Sequence, residues 1–161
     1  MQGDVSSKDS LLHIVSTVER EVGYINLLVN NAGISGPILK LPVGEDNDIK
    51  SVQKTLWETP LEDLLDVYRV NVAGVYYTTV AFLELLDNGN KHGGIPGVTS
   101  QVISISSVGG LRRDADAMMG PAYATSKAAV NHLGKILSSF LKDYQIRSNI
   151  IAPGLYPSGE H

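Results

Sequence analysis

Three short apolar runs, each preceded by a stretch of helical pattern, constrain this chain more than any other feature. They lie at residues 25–30, 101–106 and roughly 146–152. The first ends in Asn-Ala-Gly, and Pro153-Gly154 breaks the last. Such runs suit strands covered on both faces, as in a parallel sheet. Between them, helical spacing recurs. Leu11, Leu12, Val15, Val18 and Val22 repeat at i, i+3/i+4 and i+7 over 6–21, with Ser6 or Ser7 as cap and Gly23 past the end. Thr59-Pro60-Leu61-Glu62 has a capping threonine, a proline at the first helical position and a glutamate three residues after the cap. The periodic run that follows carries this helix to about Leu86. A third helix is predicted from about Pro121 to Tyr144, and a short one near 49–56 within an irregular stretch at 34–56. By composition, 87–100 and 108–120 are loops. Helix and strand alternate strictly, which predicts an α/β fold with a parallel sheet and, through right-handed crossovers, helices on both faces.

Composition narrows the function classes. The chain has 161 residues, 43% hydrophobic and 19% charged, the make-up of a folded domain rather than a disordered segment. No run of 18 apolar residues and no secretory leader pattern occurs, so the expectation is a soluble cytoplasmic protein with no membrane partner. Cysteine is absent, which removes disulfides, cysteine-ligated zinc and thiol nucleophiles. The net charge is −4 with no Lys/Arg run, against the basic surface that nucleic-acid binding requires.

Ligands of such sheets bind at the carboxyl ends of strands. There the sequence places Asn30-Asn31-Ala32-Gly33, Ser106-Ser107-Val108-Gly109-Gly110 and Pro153-Gly154. Between the last two lies Tyr123-Ala124-Thr125-Ser126-Lys127. Tyr123 and Lys127 are four apart on a helix and share a face. A lysine ammonium close to a tyrosine favours the phenolate and brings its pKa toward working pH. Such a tyrosine can exchange a proton with a carbonyl or alcohol oxygen, and a strand-end serine can hydrogen-bond the same oxygen. Taken alone, Tyr-x-x-x-Lys is common packing in helices; the combination is far more specific.

In combination, these residues resemble the short-chain dehydrogenase/reductase family. The matching stretches, in the family's order, are 27–33, 70–76, 103–110, 123–130 and 146–154. Within the family the chain is most similar to fungal reductases with a long insertion before the central helix. The resemblance implies a partial Rossmann-type, doubly wound parallel sheet holding the family's strands four to six with flanking helices. It implies an NAD(P)-dependent oxidoreductase that interconverts a carbonyl and a secondary alcohol. Tyr123 matches the general acid/base. Lys127 matches the lysine that tunes it and binds the nicotinamide ribose. Ser107 matches the serine that orients the substrate oxygen; Ser106 and Asn30 match bracing positions. Asn71 matches the asparagine that holds a water in the proton relay. For the cofactor, Asp4 and Val5 match the adenine contacts and Asn31, Ala32 and Gly33 the turn beside the adenosine ribose. Pro153, Gly154, Tyr156 and Ser158 match the strand end at the nicotinamide. The cofactor implied is NADP or NAD, with NADP slightly preferred. The partners implied are a small-molecule carbonyl or alcohol substrate and a second copy, docked through helices near 60–86 and 121–143.

Two features depart from the family pattern. Longer loops separate Gly33 from Asn71 and Ser107 from Tyr123, so residues 111–120 are expected to shape the substrate pocket. No Gly-x-x-x-Gly-x-Gly or Gly-x-Gly-x-x-Gly occurs, so the strand–turn–helix that cradles a pyrophosphate has no counterpart. Residues 1–161 therefore read as an incomplete NAD(P)-binding domain lacking the Gly-rich first βαβ and the last strand. The first strand, at 25–29, would then be an uncovered apolar edge. The alternative reading is a non-catalytic fragment of such an enzyme, acting at most as an interaction module.

Overall fold

The computed structural model describes residues 2–37, 48–92, 94, 96–113 and 120–154. Three strands, β1 (Leu27–Asn30), β2 (Gln101–Ile105) and β3 (Arg147–Ile151), form one parallel sheet in the order β1-β2-β3. Leu28 pairs with Val102 and Val102 with Ser148, which fixes the register and ends all three strands at one level. The predicted α/β fold is the observed one.

The helices show how local chemistry places each element. α1 (Lys8–Glu21) starts at Ser7, whose Oγ accepts the Ser10 N–H. α2 (Ile49–Trp57) starts at Asp48, whose carboxylate accepts the N–H groups of Lys50 and Ser51. α3 (Leu61–Tyr68) departs from expectation. Pro60 occupies the cap position, and no side chain caps the helix. The Thr59 hydroxyl is buried without a hydrogen-bond partner. Pro60 is held extended at ψ 137°, which turns the chain one residue later than the capping pattern predicts.

The expected single helix over 59–86 is instead three pieces. α3 passes into a π-helical turn (Arg69–Gly74), then α4 (Val75–Ala81), and after a break at Phe82 into α5 (Leu83–His92). α5 runs through Asn88-Gly89-Asn90, which composition assigns to a loop. Tertiary contacts override the weak local propensity. The Asn88 and Asn90 amides donate to the carbonyls of Gly23 and of Tyr144 and Gln145, and Asn90 Oδ1 accepts the Ser100 N–H. Gly89 lies so close to the Ile25 carbonyl that a Cβ there would overlap it. α6 (Gly120–Leu141) and a 3₁₀ turn (Lys142–Tyr144) lead into β3.

The core lies between the sheet and the two last helices. Leu86, Leu137 and Leu141 close over Val102 and Ile146, with Ile25, Leu28, Leu83 and Leu133 packed around them. Ser148 donates to the Gly134 carbonyl and Asn30 to Thr79, so α4 and α6 cover the same sheet face. The opposite face differs from the expectation of helices on both sides. α1 packs mainly against α4. Leu27, Val29 and Ile151 remain 49%, 47% and 48% exposed. Among the described helices none is long and apolar enough to cross a membrane.

Candidate functional site

The three strands deliver their following turns to one rim. Backbone bonds then fasten these turns together. Ser106 N–H donates to the Ile151 carbonyl at 2.7 Å, and Val108 N–H donates to the Pro153 carbonyl at 2.9 Å. The first turns of α6 pack alongside. The result is a cleft of about 380 Å³ lined by Asn31, Gly33, Ile34, Ser35, Ser107, Tyr123, Lys127, Pro153 and Gly154, with Ile105, Ser106 and Val108 at its floor and sides.

Lys127 is the most constrained group in it. Its side chain is 5% exposed, and Nζ donates to the Ile105 carbonyl at 2.8 Å. Burial holds its pKa below the ordinary lysine value, because the ammonium is costly to desolvate. Nζ lies 5.6 Å from the Tyr123 ring centre, so the one-face placement predicted for the pair is realised. Ser107 opens a 3₁₀ turn (Val108–Gly110), and its Oγ accepts the Gly109 N–H at 3.0 Å. Accepting that bond leaves the hydroxyl proton available to another oxygen. A Cβ on Gly109 would sit 3.4 Å from Ser107 Oγ and 3.8 Å from Tyr123 Cε1, so the serine and the tyrosine flank the same glycine. Ser106 turns the other way and donates to the Lys127 carbonyl. Asn30 bridges Thr79 and Ser104 through Nδ2.

Asn71 stands behind the cleft rather than in its wall. It lies in the π-helical turn, the kind of local widening that recurs at functional sites. It is 1% exposed. Its Oδ1 accepts the Ile34 N–H at 2.8 Å, and its Nδ2 donates to the Ile34 carbonyl at 2.9 Å and to Ser126 Oγ at 3.0 Å. The asparagine thus holds the segment after Gly33 by both backbone groups.

Of the residues matched to the adenosine end, Gly33 lines the first cleft, while Val5, Asn31 and Ala32 reach a second hollow of about 110 Å³. Val5, Asn31 and Ala32 line it together with Val29, Val70 and Gly74, and Asn31 belongs to both cavities. Asp4 lies outside its lining; its carboxylate accepts the N–H and Oγ–H of Ser6, which lowers its pKa. Tyr156 and Ser158, and the stretch 114–119 of the substrate-side loop, lie outside the described residues. Among the described residues no group of three or more His, Asp or Glu is placed to hold a metal.

The nicotinamide-ribose half of a dinucleotide fits this donor set. Gly33 is the observation that tests it: a Cβ there would come within 3.3 Å of Asn71 Oδ1 and 3.4 Å of Lys127 Nζ, so the bare backbone gives these polar groups room at the cleft wall. Sequence reasoning passed over Ile34, Ser35 and Ser126. No motif spacing marks Ile34 or Ser35. Ser126 is visible as a small polar residue beside the lysine, but its partners become clear only when the helices pack.

The model for "short chain dehydrogenase" matches residues 1–159. A short-chain dehydrogenase/reductase of Stachybotrys chartarum is 42% identical over 171 residues, covering 98% of this chain and 62% of the relative. The structure of a Pseudomonas aeruginosa protein, RhlG, with NADP is similar at TM-score 0.77 and 27% identity, covering 99% of this chain and 54% of that one. An NAD+-bound xylitol dehydrogenase is similar at TM-score 0.75 and 25% identity, covering 98% and 50%. The chain therefore spans between half and two thirds of the length of these proteins.

Proposed function

Because the chain belongs to the short chain dehydrogenase family, we propose that its strand-end cleft interconverts a carbonyl and a secondary alcohol with NADP or NAD. The observation that carries this reading is the meeting of Ser107, Tyr123 and Lys127 on one cleft. A nicotinamide, when bound, supplies the hydride chemistry. The chain's own residues supply the rest. Ser107, with Oγ already accepting from Gly109, donates its proton to the substrate oxygen and orients it. Tyr123 passes a proton to that oxygen in reduction and takes it back in oxidation. Lys127 spends one N–H on Ile105 and keeps two for a ribose hydroxyl and for charge that develops beside the tyrosine. Asn71 keeps the Gly33–Ile34 wall in place, while Asn31, Ala32, Pro153 and Gly154 hold the cofactor. Asp4 and Val5 meet its adenine end. NADP and NAD both occur among the similar structures; NADP is taken slightly ahead.

The substrate is a small carbonyl or alcohol compound. Self-association is proposed through α3, α4 and α6, where Tyr76, Tyr77 and the 70%-exposed Phe140 are uncovered. The test of the chemistry compares the chain with its Tyr123→Phe variant. Both should bind NADPH or NADH by calorimetry, and carbonyl reduction should fall at least about 100-fold in the variant. Undiminished reduction by the variant overturns the role of Tyr123.

A further inference from the structure

Ser126 has no part in the chemistry above, yet it is fully buried and makes two hydrogen bonds of fixed direction. Its Oγ is 2.7 Å from the Tyr123 carbonyl, to which it donates, and 3.0 Å from Asn71 Nδ2. A hydroxyl has one proton. With that proton on the Tyr123 carbonyl, Ser126 can only accept from Asn71. The Asn71 amide must then present its NH2 toward α6. Its second Nδ2 proton goes to the Ile34 carbonyl, and Oδ1 is left to accept the Ile34 N–H. A rotated amide would set oxygen against carbonyl and N–H against N–H, leaving buried groups unpaired.

We propose that Ser126 is a positioning residue, whose hydroxyl locks the Asn71 amide and so couples the Gly33–Ile34 turn to the helix that carries Tyr123 and Lys127. Ile34 belongs to a segment with no helix or strand of its own, with its side chain 40% exposed. Asn71 grips it at two points, and Ser126 anchors that grip to a 22-residue helix. Asn71 Oδ1 and Lys127 Nζ both approach the Cβ position of Gly33, at 3.3 and 3.4 Å. A swing of the amide therefore disturbs the turn where it adjoins the lysine. The coupling itself is geometric; its consequence for turnover rests on the proposed dehydrogenase reading.

The test uses the 161-residue chain labelled with ¹⁵N, in three variants. Ser126→Ala removes the hydroxyl, Ser126→Cys keeps the size with a weak hydrogen-bonding group, and Ser126→Thr restores the hydroxyl. In the Ala and Cys forms the side-chain amide resonances of Asn71 should shift, and exchange of the Ile34 backbone N–H should quicken by about tenfold. Ser126→Thr should keep both close to the parent. The double variant Asn71→Ala with Ser126→Ala should exchange at Ile34 no faster than Asn71→Ala alone. Unmoved Asn71 resonances, or a Cys form like the parent beside a disturbed Ala form, overturn the proposal in favour of plain packing. In turnover, Ser126→Cys should lower kcat by about tenfold with KM within about twofold. If Tyr123→Phe leaves turnover intact, the enzymatic reading fails while the Asn71 and Ile34 signals still judge Ser126.

Discussion

Gly110 is the point where the Ser107 turn meets α6, and replacing it with alanine should disturb both. A Cβ built there lies 2.6 Å from the Lys127 carbonyl carbon and 2.7 Å from the Ala128 nitrogen. Both are backbone atoms of α6, which cannot swing aside as a side-chain tip can. Contact between heavy atoms is optimal at 3.5–4.0 Å, so the turn must back off by about 1 Å. Gly110 is not among the glycines of positive φ, so the cost comes from overlap and not from backbone strain. Overpacking of this kind costs about 1–3 kcal/mol. For a chain of this size that is a fall in melting temperature of about 2–12 °C. The same displacement carries Ser107 away from Tyr123. A misplacement of about 1 Å near reacting groups lowers turnover by up to about 100-fold.

The neighbouring glycine is the control. At Gly109 the nearest atoms to an added Cβ are Ser107 Oγ at 3.4 Å and Tyr123 Cε1 at 3.8 Å, which is ordinary contact. Gly109→Ala should therefore melt within about 1–2 °C of the parent. Thermal unfolding followed by circular dichroism compares the pair directly. If Gly110→Ala melts with the parent, or if Gly109→Ala costs as much, the turn does not bear on α6 as the geometry requires.

Three further outcomes follow from groups whose surroundings are unusual. Tyr123→Phe should retain cofactor binding and lose carbonyl reduction, read as NADPH consumption beside calorimetric titration. Thr59→Val replaces a buried hydroxyl that has no partner with a methyl group, so chemical denaturation should find it as stable as the parent or more so. Lys127→Met removes a buried ammonium whose folded-state pKa lies below the ordinary 10.5. Between the lowered value and 10.5 the unfolded chain binds more protons, so the parent gains stability as pH rises through that window. The variant should melt at or above the parent at neutral pH, and its advantage should narrow toward pH 10.5; a variant that melts lower at neutral pH and stays lower would refute the assignment.

How much was legible beforehand depends on the range of the interactions involved. Strand positions and the α/β class rest on apolar runs and on turn residues, which act locally, and the observed strands fall within the three runs. Tyr123 and Lys127 were legible as a pair because helical spacing alone puts them on one face, and Lys127 Nζ does lie by the ring. Thr59 shows the limit of local rules, since its sequence has every sign of a cap and its backbone places Pro60 there instead. Asn88-Gly89-Asn90 shows it again, because a helix that looks weak by propensity is held by amides reaching Gly23, Tyr144 and Gln145. Asn71 is the most instructive case. The resemblance marks the residue but not its direction, and direction comes from Ile34, 37 positions away, and from Ser126, 55 positions away. An amide has two ends that differ only in which atoms donate. Which end faces the cleft is decided by the sum of its partners, and those partners exist only once α6 has packed against the π-helical turn. Candidate residue types can therefore be named from sequence, whereas the bonds that aim them are a property of the assembled core.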